Sequence, residues 1–150
     1  GLWEIAGDGG YPGVLSDVTV PLSDRCHCLD ALTILFRDLF ARRCTDHLEH
    51  RGEAGNPLNT ICYMWWDLFA FCPAPEERVP LTAAVTRSLT TILHLPSIAC
   101  QEAALHGCGH WLAADIASLQ KTIDDWLQRP PEIRSELREY ALSARCGCVL

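Results

Sequence analysis

Apolar side chains recur along most of this chain every three to four residues, which is the spacing of amphipathic helices. The first such segment runs from Ser23 until the pattern fades after Arg43, with Ser23 or Asp24 as its N-cap. The second begins at Asn56-Pro57, where Asn caps the helix and Pro takes the first helical position, and continues through Phe71. This second helix is apolar on nearly every face, so we expect it to be central.

Four more helices follow, and prolines or glycines mark most of their ends. In order, they run from Glu76 or Pro80 to Leu95, from Pro96-Ser97 until Gly107 stops the helix, from Ile116 until Pro130 closes it, and from Pro131 to a C-cap at Gly147. The polar segment from Thr45 to Gly55 is predicted to be a solvated loop.

Residues 1–22 lack the helical pattern and are rich in glycine and proline, so they predict an extended, turn-rich N-terminal arm. The β-branched residues of Asp17–Val20 make that stretch a candidate short strand. Residues 23–150 then form a single helical domain. The predicted fold class is all-α, with about six helices in three antiparallel pairs.

The spacing of these pairs resembles that of HEAT and armadillo repeats. The last two pairs cover residues 76–107 and 115–146 and begin about 39 residues apart, close to the period of about 40 residues in those families. The resemblance covers residues 24–146 and implies a HEAT-like α-solenoid. A compact helical bundle is the alternative, which the irregular first pair favours. The segment Ala104–Trp111 also looks like an Ala-Leu-His-Gly-x-Gly-His-Trp segment of uncharacterised bacterial helical proteins, and it implies no activity.

Charge and cysteine content narrow the function classes. A formal charge of −7 argues against nucleic-acid and anionic-membrane binding, since both depend on clustered Lys and Arg. Nine cysteines cannot all pair within one chain, and no stretch has the pattern of a signal peptide. We therefore expect reduced thiols and a cytoplasmic protein.

The segment His106-Gly107-Cys108-Gly109-His110 carries candidate metal ligands. Its glycines predict a tight turn, which brings both imidazoles and the Cys108 sulfur to one zinc ion. In an unbroken helix, Glu102 would instead share one face with His106 and His110. The histidines of a helix corner also bond backbone carbonyls without any metal, and Trp111, just after this segment, is expected beside a cleft.

Asp67 lies within the apolar helix that follows Pro57. A buried carboxylate is costly unless it is paired, so a histidine of the 106–110 segment or an arginine is its expected partner. The interpretation we favour is a structural clasp of Asp67 with His106 and His110. The alternative is a carboxylate that binds or orients a metal site.

Two Cys-x-Cys pairs, Cys26/Cys28 and Cys146/Cys148, form a second candidate metal cluster. Each pair lies at a predicted helix end, where residues two apart can chelate one ion, and together they supply the four thiolates of a structural zinc site. A compact bundle would be needed to bring them together. Buried cysteines also serve simply as small apolar residues.

Two functions fit these patterns. The first is a non-catalytic helical interaction module or scaffold with a protein partner, a second copy of the chain being one candidate, and with no cofactor. The second is a zinc-binding protein centred on His106, Cys108 and His110, with Asp67 or Glu102 as a further ligand. Three protein ligands and an open position would indicate hydrolytic chemistry, and four would indicate a structural ion.

Overall fold

A computed structural model describes residues 1–7, 11–68, 71–128 and 133–149, and throughout these residues the chain is helix and loop without a strand. The prediction of an all-α protein is confirmed. In chain order the α-helices are α1 (Leu2–Ala6), α2 (Tyr11–Ser16), α3 (Leu22–Leu35), α4 (Ala41–Arg43), α5 (Pro57–Tyr63), α6 (Trp65–Leu68), α7 (Arg78–Leu93), α8 (Ile98–Trp111), α9 (Ile116–Leu127) and α10 (Ser135–Arg145). A π-helical stretch, Phe36–Phe40, joins α3 to α4, and short 3-10 turns cover Glu49–Arg51 and Leu112–Ala114.

Local capping signals place several helix ends close to where the sequence predicts them. The Asn56 side chain accepts hydrogen bonds from the first backbone N–H groups of α5, with Pro57 at the first helical position. Gly147 follows α10 with φ of +72°, a conformation that favours glycine. At the start of α3, however, the N-cap is Pro21, so the prediction of Ser23 or Asp24 is wrong by two or three residues.

The extended N-terminal arm is a wrong prediction. Residues 2–6 and 11–16 are helical, and Ala6 and Leu15 are fully buried against the rest of the chain. Burial of these two side chains stabilises helical turns that the glycine-rich composition does not favour. The second predicted helix is also divided, since α5 ends before Met64 and α6 begins after it. The predicted boundaries at Pro130 and Pro131 lie outside the described residues.

Helix α8 packs against α5, α6, α7, α9 and α10. Its residues from Ala99 to Gly109 are buried except Gln101, and many of them are small, which lets neighbouring backbones approach closely. The tryptophans of α6 pack into the same core and are buried. None of the described helices is long and apolar enough to cross a bilayer.

Candidate metal centre

Helix α8 continues through the His-Gly-Cys-Gly-His segment, so the predicted tight turn at Gly107 is wrong. A Cβ atom built on Gly107 would lie 2.7 Å from Cγ of Trp66, which shows how closely α6 approaches α8 at this point. The glycine therefore serves helix packing and not chain reversal. The consequence for the site is that His106 and His110 lie one turn apart on the same face of α8.

Asp67 of α6 meets both histidines. Its Oδ2 lies 2.8 Å from Nε2 of His106, and its Oδ1 lies 2.7 Å from Nε2 of His110. The two Nε2 atoms are 3.0 Å apart. The His106 side chain is 1% exposed, whereas Asp67 and His110 are 26% and 36% exposed, so the cluster is closed on one side and open on the other.

The second ring nitrogen of His106 is held by α10. Nδ1 lies 2.6 Å from the Tyr140 hydroxyl, which in turn lies 3.0 Å from the Tyr63 hydroxyl. Burial lowers the pKa of His106, although the hydrogen bond to Asp67 opposes this, and the imidazole is therefore favoured in its neutral form. Burial also raises the pKa of both tyrosines, so these phenols keep their protons.

Glu102 lies one turn before His106 but binds elsewhere. Its carboxylate accepts hydrogen bonds from the backbone N–H groups of Glu49 and His50, at 3.1 and 3.0 Å, and contacts Nδ1 of His50 at 2.6 Å. Burial raises the pKa of Glu102, and these hydrogen bonds oppose that shift. The Glu102 side chain therefore links α8 to the loop that precedes α5. It is not grouped with Asp67, His106 and His110.

The predicted cysteine ligands do not join the centre. Cys108 is two residues from His106 on a continuous helix and therefore points away from the histidines. It is fully buried, and burial raises the pKa of its thiol to about 12. Within residues 1–7, 11–68, 71–128 and 133–149, Asp67, His106 and His110 are the one group of three or more candidate ligands that converge. The two Cys-x-Cys pairs therefore do not assemble the predicted four-thiolate cluster.

Sequence reasoning did not identify Tyr140, Tyr63 or His50 as part of this site. His50 belongs to the loop predicted to be solvated, yet its ring stacks on Tyr140 with centroids 4.1 Å apart. One signal was available for Tyr140, because it lies on the apolar face of α10 and a buried phenol has to find a hydrogen-bond partner. No local pattern indicates which partner that is.

The hydrogen bonds of His106 allow several arrangements of protons, of which two are the limiting cases. In the first, Nε2 of each histidine donates to one oxygen of Asp67, and the Tyr140 hydroxyl donates to Nδ1 of His106. In the second, Nδ1 of His106 donates to the Tyr140 oxygen, and the Nε2 lone pairs face each other and Asp67. The first is a clasp, and the second is the arrangement that a metal ion requires.

Comparisons with protein-family models, curated proteins and solved structures gave no match for this chain.

Proposed function

We propose that this protein binds one divalent transition-metal ion, with zinc as the first candidate, through Asp67, His106 and His110. The observation that carries the proposal is the convergence of two imidazole Nε2 atoms and one carboxylate, with closest separations of 2.7, 2.8 and 3.0 Å. Imidazole and carboxylate are both ordinary zinc ligands. The three side chains come from two helices that the core packs together.

The spacing of the donor atoms suits a metal with small adjustments. Two ligands of a tetrahedral zinc ion, with bonds of about 2.0–2.1 Å, lie about 3.3 Å apart. The closest separations in this cluster, each histidine to a different oxygen of Asp67 and the two Nε2 atoms to each other, are shorter than this by about 0.3–0.6 Å, so these contacts have to lengthen on metal binding. Side-chain rotations of Asp67 and His110, which are both partly exposed, supply such a shift.

The contact between the two histidines suits a metal ion better than a clasp in which both Nε2 atoms carry a hydrogen. In that clasp each Nε2–H group donates to one oxygen of Asp67, and the two nitrogens, 3.0 Å apart, then cannot hydrogen-bond each other. A metal ion replaces both hydrogens and accepts both lone pairs. The Tyr140 hydroxyl next to Nδ1 supplies the outer partner that metal-bound histidines generally have.

Three protein ligands leave at least one coordination position for water or another ligand. Zinc sites with this ligand number lower the pKa of the bound water and support hydrolytic chemistry. The exposed side of the cluster, formed by Asp67 and His110, gives solvent access to that position. We therefore place the protein among metal proteins with an open site, and not among those with a closed structural ion.

The test is a titration of chelator-treated protein with Zn²⁺ and Co²⁺, followed by calorimetry and visible absorption. We expect one ion per chain, and at least about 100-fold weaker binding in His110→Ala and Asp67→Asn. His110 is partly exposed, so its loss costs less stability than loss of His106. The matched control is His94→Ala, an exposed histidine whose Nδ1 contacts the Thr90 carbonyl oxygen within α7. No stoichiometric uptake, or equal uptake by His110→Ala, would leave the clasp as the role of these residues.

For the arrangement of helices, we propose the compact bundle in place of the HEAT-like solenoid. The contacts of α8 with α5, α6, α7, α9 and α10 support it, since in a solenoid each repeat contacts only its neighbours. The cytoplasmic setting is also a proposal, supported by nine cysteines that are all free thiols.

A protein-interaction role is the second candidate function, and exposed apolar side chains on α1 favour it. Trp3 and Ile5 are 50% and 41% exposed, and apolar grooves lie on either side of this helix. Light scattering of the wild type and of Trp3→Ser tests self-association, the simplest form of this role. Identical monomer masses over a wide concentration range would count against a homodimer.

A further inference from the structure

A cavity of about 390 Å³ opens beside the candidate metal centre. Two of the three proposed ligands, Asp67 and His110, form part of its wall. The aromatic side chains of Trp66, Phe71 and Trp111 form most of the rest, so the expectation that Trp111 lies beside a cleft is confirmed. The volume is within the range of sites that bind small organic molecules, about 300–1,000 Å³.

The open side of the centre faces this cavity. His106 is buried, and its Nδ1 is hydrogen-bonded to the Tyr140 hydroxyl. Asp67 and His110 belong to the cluster and also line the cavity. An ion bound by the three side chains therefore has its remaining coordination positions on the cavity side. A molecule in the cavity is placed to supply the next ligand to the ion.

The charge of the metal-loaded centre determines which kind of donor group is favoured in that molecule. A divalent ion bound by one carboxylate and two neutral imidazoles leaves a net charge of about +1. Apart from the two ligands Asp67 and His110, the cavity wall consists of the three aromatic residues and two alanines, which carry no charge. An anionic oxygen donor is therefore favoured over a neutral or cationic one.

The aromatic wall selects the rest of the molecule. The rings of Phe71 and Trp111 lie with centroids 5.1 Å apart at an angle of 43°, so they form one continuous apolar surface next to His110. Flat aromatic groups pack well against such surfaces and gain more than their buried area alone provides. A small aliphatic group would leave much of this surface in contact with water.

We propose that the metal-loaded protein binds a small monoanion whose metal-binding group, which supplies the oxygen donor, is bonded directly to a planar aromatic ring. Arylcarboxylates and arylhydroxamates are the chemical class. The oxygen donor occupies an open position of the ion, and the ring lies against Phe71 and Trp111. This inference rests on the proposed metal site, and it adds the class of ligand.

The test compares benzohydroxamate with acetohydroxamate as probes on the Co²⁺-loaded protein, followed through the visible absorption of the ion. Both probes present the same donor atoms, and they differ in the aromatic ring. We expect benzohydroxamate to bind about tenfold more tightly. In Trp111→Leu, which keeps an apolar side chain but removes the indole, this preference falls to about twofold or less while acetohydroxamate binds as in the wild type.

Trp3→Leu is the matched control, because Trp3 is an exposed tryptophan that lines a different groove. It should keep the tenfold preference. Should Trp111→Leu fail to fold, Phe71→Leu removes the other ring and is expected to show the same reduced preference. Equal binding of the two probes to the loaded wild type, or binding of neither, overturns the inference while leaving the metal site intact. Failure of the protein to take up Co²⁺ overturns the proposed function and this inference together.

Discussion

Replacing Gly107 with Ala tests the packing that creates the candidate metal centre. A Cβ atom at this position would lie 2.6 Å from Cδ2 of Leu89 and 2.7 and 2.8 Å from Cγ and Cδ1 of Trp66. All three distances are shorter than real contacts of a Cβ atom. The Leu89 methyl group belongs to the end of a side chain, but Cγ of Trp66 is the root of a buried indole. The indole therefore moves only if α6 moves away from α8, and Asp67 moves with it.

The expected cost follows from two opposing effects. Forcing one extra methyl group into a filled core costs about 1–3 kcal/mol. Alanine is a better helix former than glycine by about 0.5–1 kcal/mol, which offsets part of that cost. Because Leu89 and Trp66 are both almost fully buried, we expect a net loss of about 1–2 kcal/mol in the free energy of unfolding. For a chain of this size the melting temperature should fall by roughly 2–8 °C.

Thermal unfolding followed by circular dichroism measures the stability, and the zinc titration measures the effect on the centre. We expect Gly107→Ala to bind zinc at least about tenfold more weakly, because the Asp67 oxygens no longer meet the imidazoles. Gly13→Ala is the matched control. Gly13 lies within α2, and a Cβ atom there would have no neighbour within 4 Å. This control should unfold at the same temperature as the wild type or slightly higher.

The reasoning is refuted if Gly107→Ala unfolds at or above the melting temperature of Gly13→Ala. A second glycine of α8 gives an intermediate case. A Cβ atom at Gly109 would lie 2.6 Å from both methyl groups of Val149, which belongs to a loop and is only partly buried. Val149 is able to move aside, so Gly109→Ala should cost less than Gly107→Ala.

Three further outcomes are expected. Tyr140→Phe removes the hydroxyl that is hydrogen-bonded to Nδ1 of His106. The free energy of unfolding should fall by about 1–3 kcal/mol and the zinc affinity by about 10- to 100-fold. Unchanged values of both would contradict this role of the hydroxyl. The hydrogen bond from Arg134 holds the pKa of Glu53 at about 2, below its ordinary value of 4.5, and a carboxyl with a lowered pKa stabilises the folded state above its unfolded pKa. In urea unfolding, the wild type should therefore exceed Glu53→Gln in stability at neutral pH, and the difference should disappear between about pH 4.5 and pH 2; a difference that grows with acidity would oppose this. Burial raises the pKa of Cys108 to about 12, so a disulfide reagent at pH 8 should leave this thiol unlabelled in the native protein. Peptide mass spectrometry measures the labelling, and early labelling of Cys108 would contradict its burial. The thiols expected to react first are the exposed ones, Cys72, Cys146 and Cys148.

Helix positions were predictable where the signals act within one turn. Asn56 satisfies the first N–H groups of α5, and backbone N–H groups after α10 bond the carbonyls of Ser143 and Ala144 with Gly147 in a left-handed conformation. Such signals depend only on neighbouring residues, so the sequence contains them in full. The predictions for residues 1–22 and for Gly107 were wrong because their outcome depends on burial against distant segments.

The sequence by itself determined the helical fold class, the types of donor atoms in the 106–110 segment and the need of Asp67 for a partner in an apolar helix. These follow from periodicity, side-chain chemistry and the cost of burying a carboxylate, which are all local properties. Only the tertiary structure decided which groups meet. Asp67 reaches His106 across 39 residues and Tyr140 reaches it across 34, while Cys108, two residues from His106, points away. Each of these contacts is set by how closely α6 and α10 pack on α8, and that closeness depends on the shapes of side chains throughout the core.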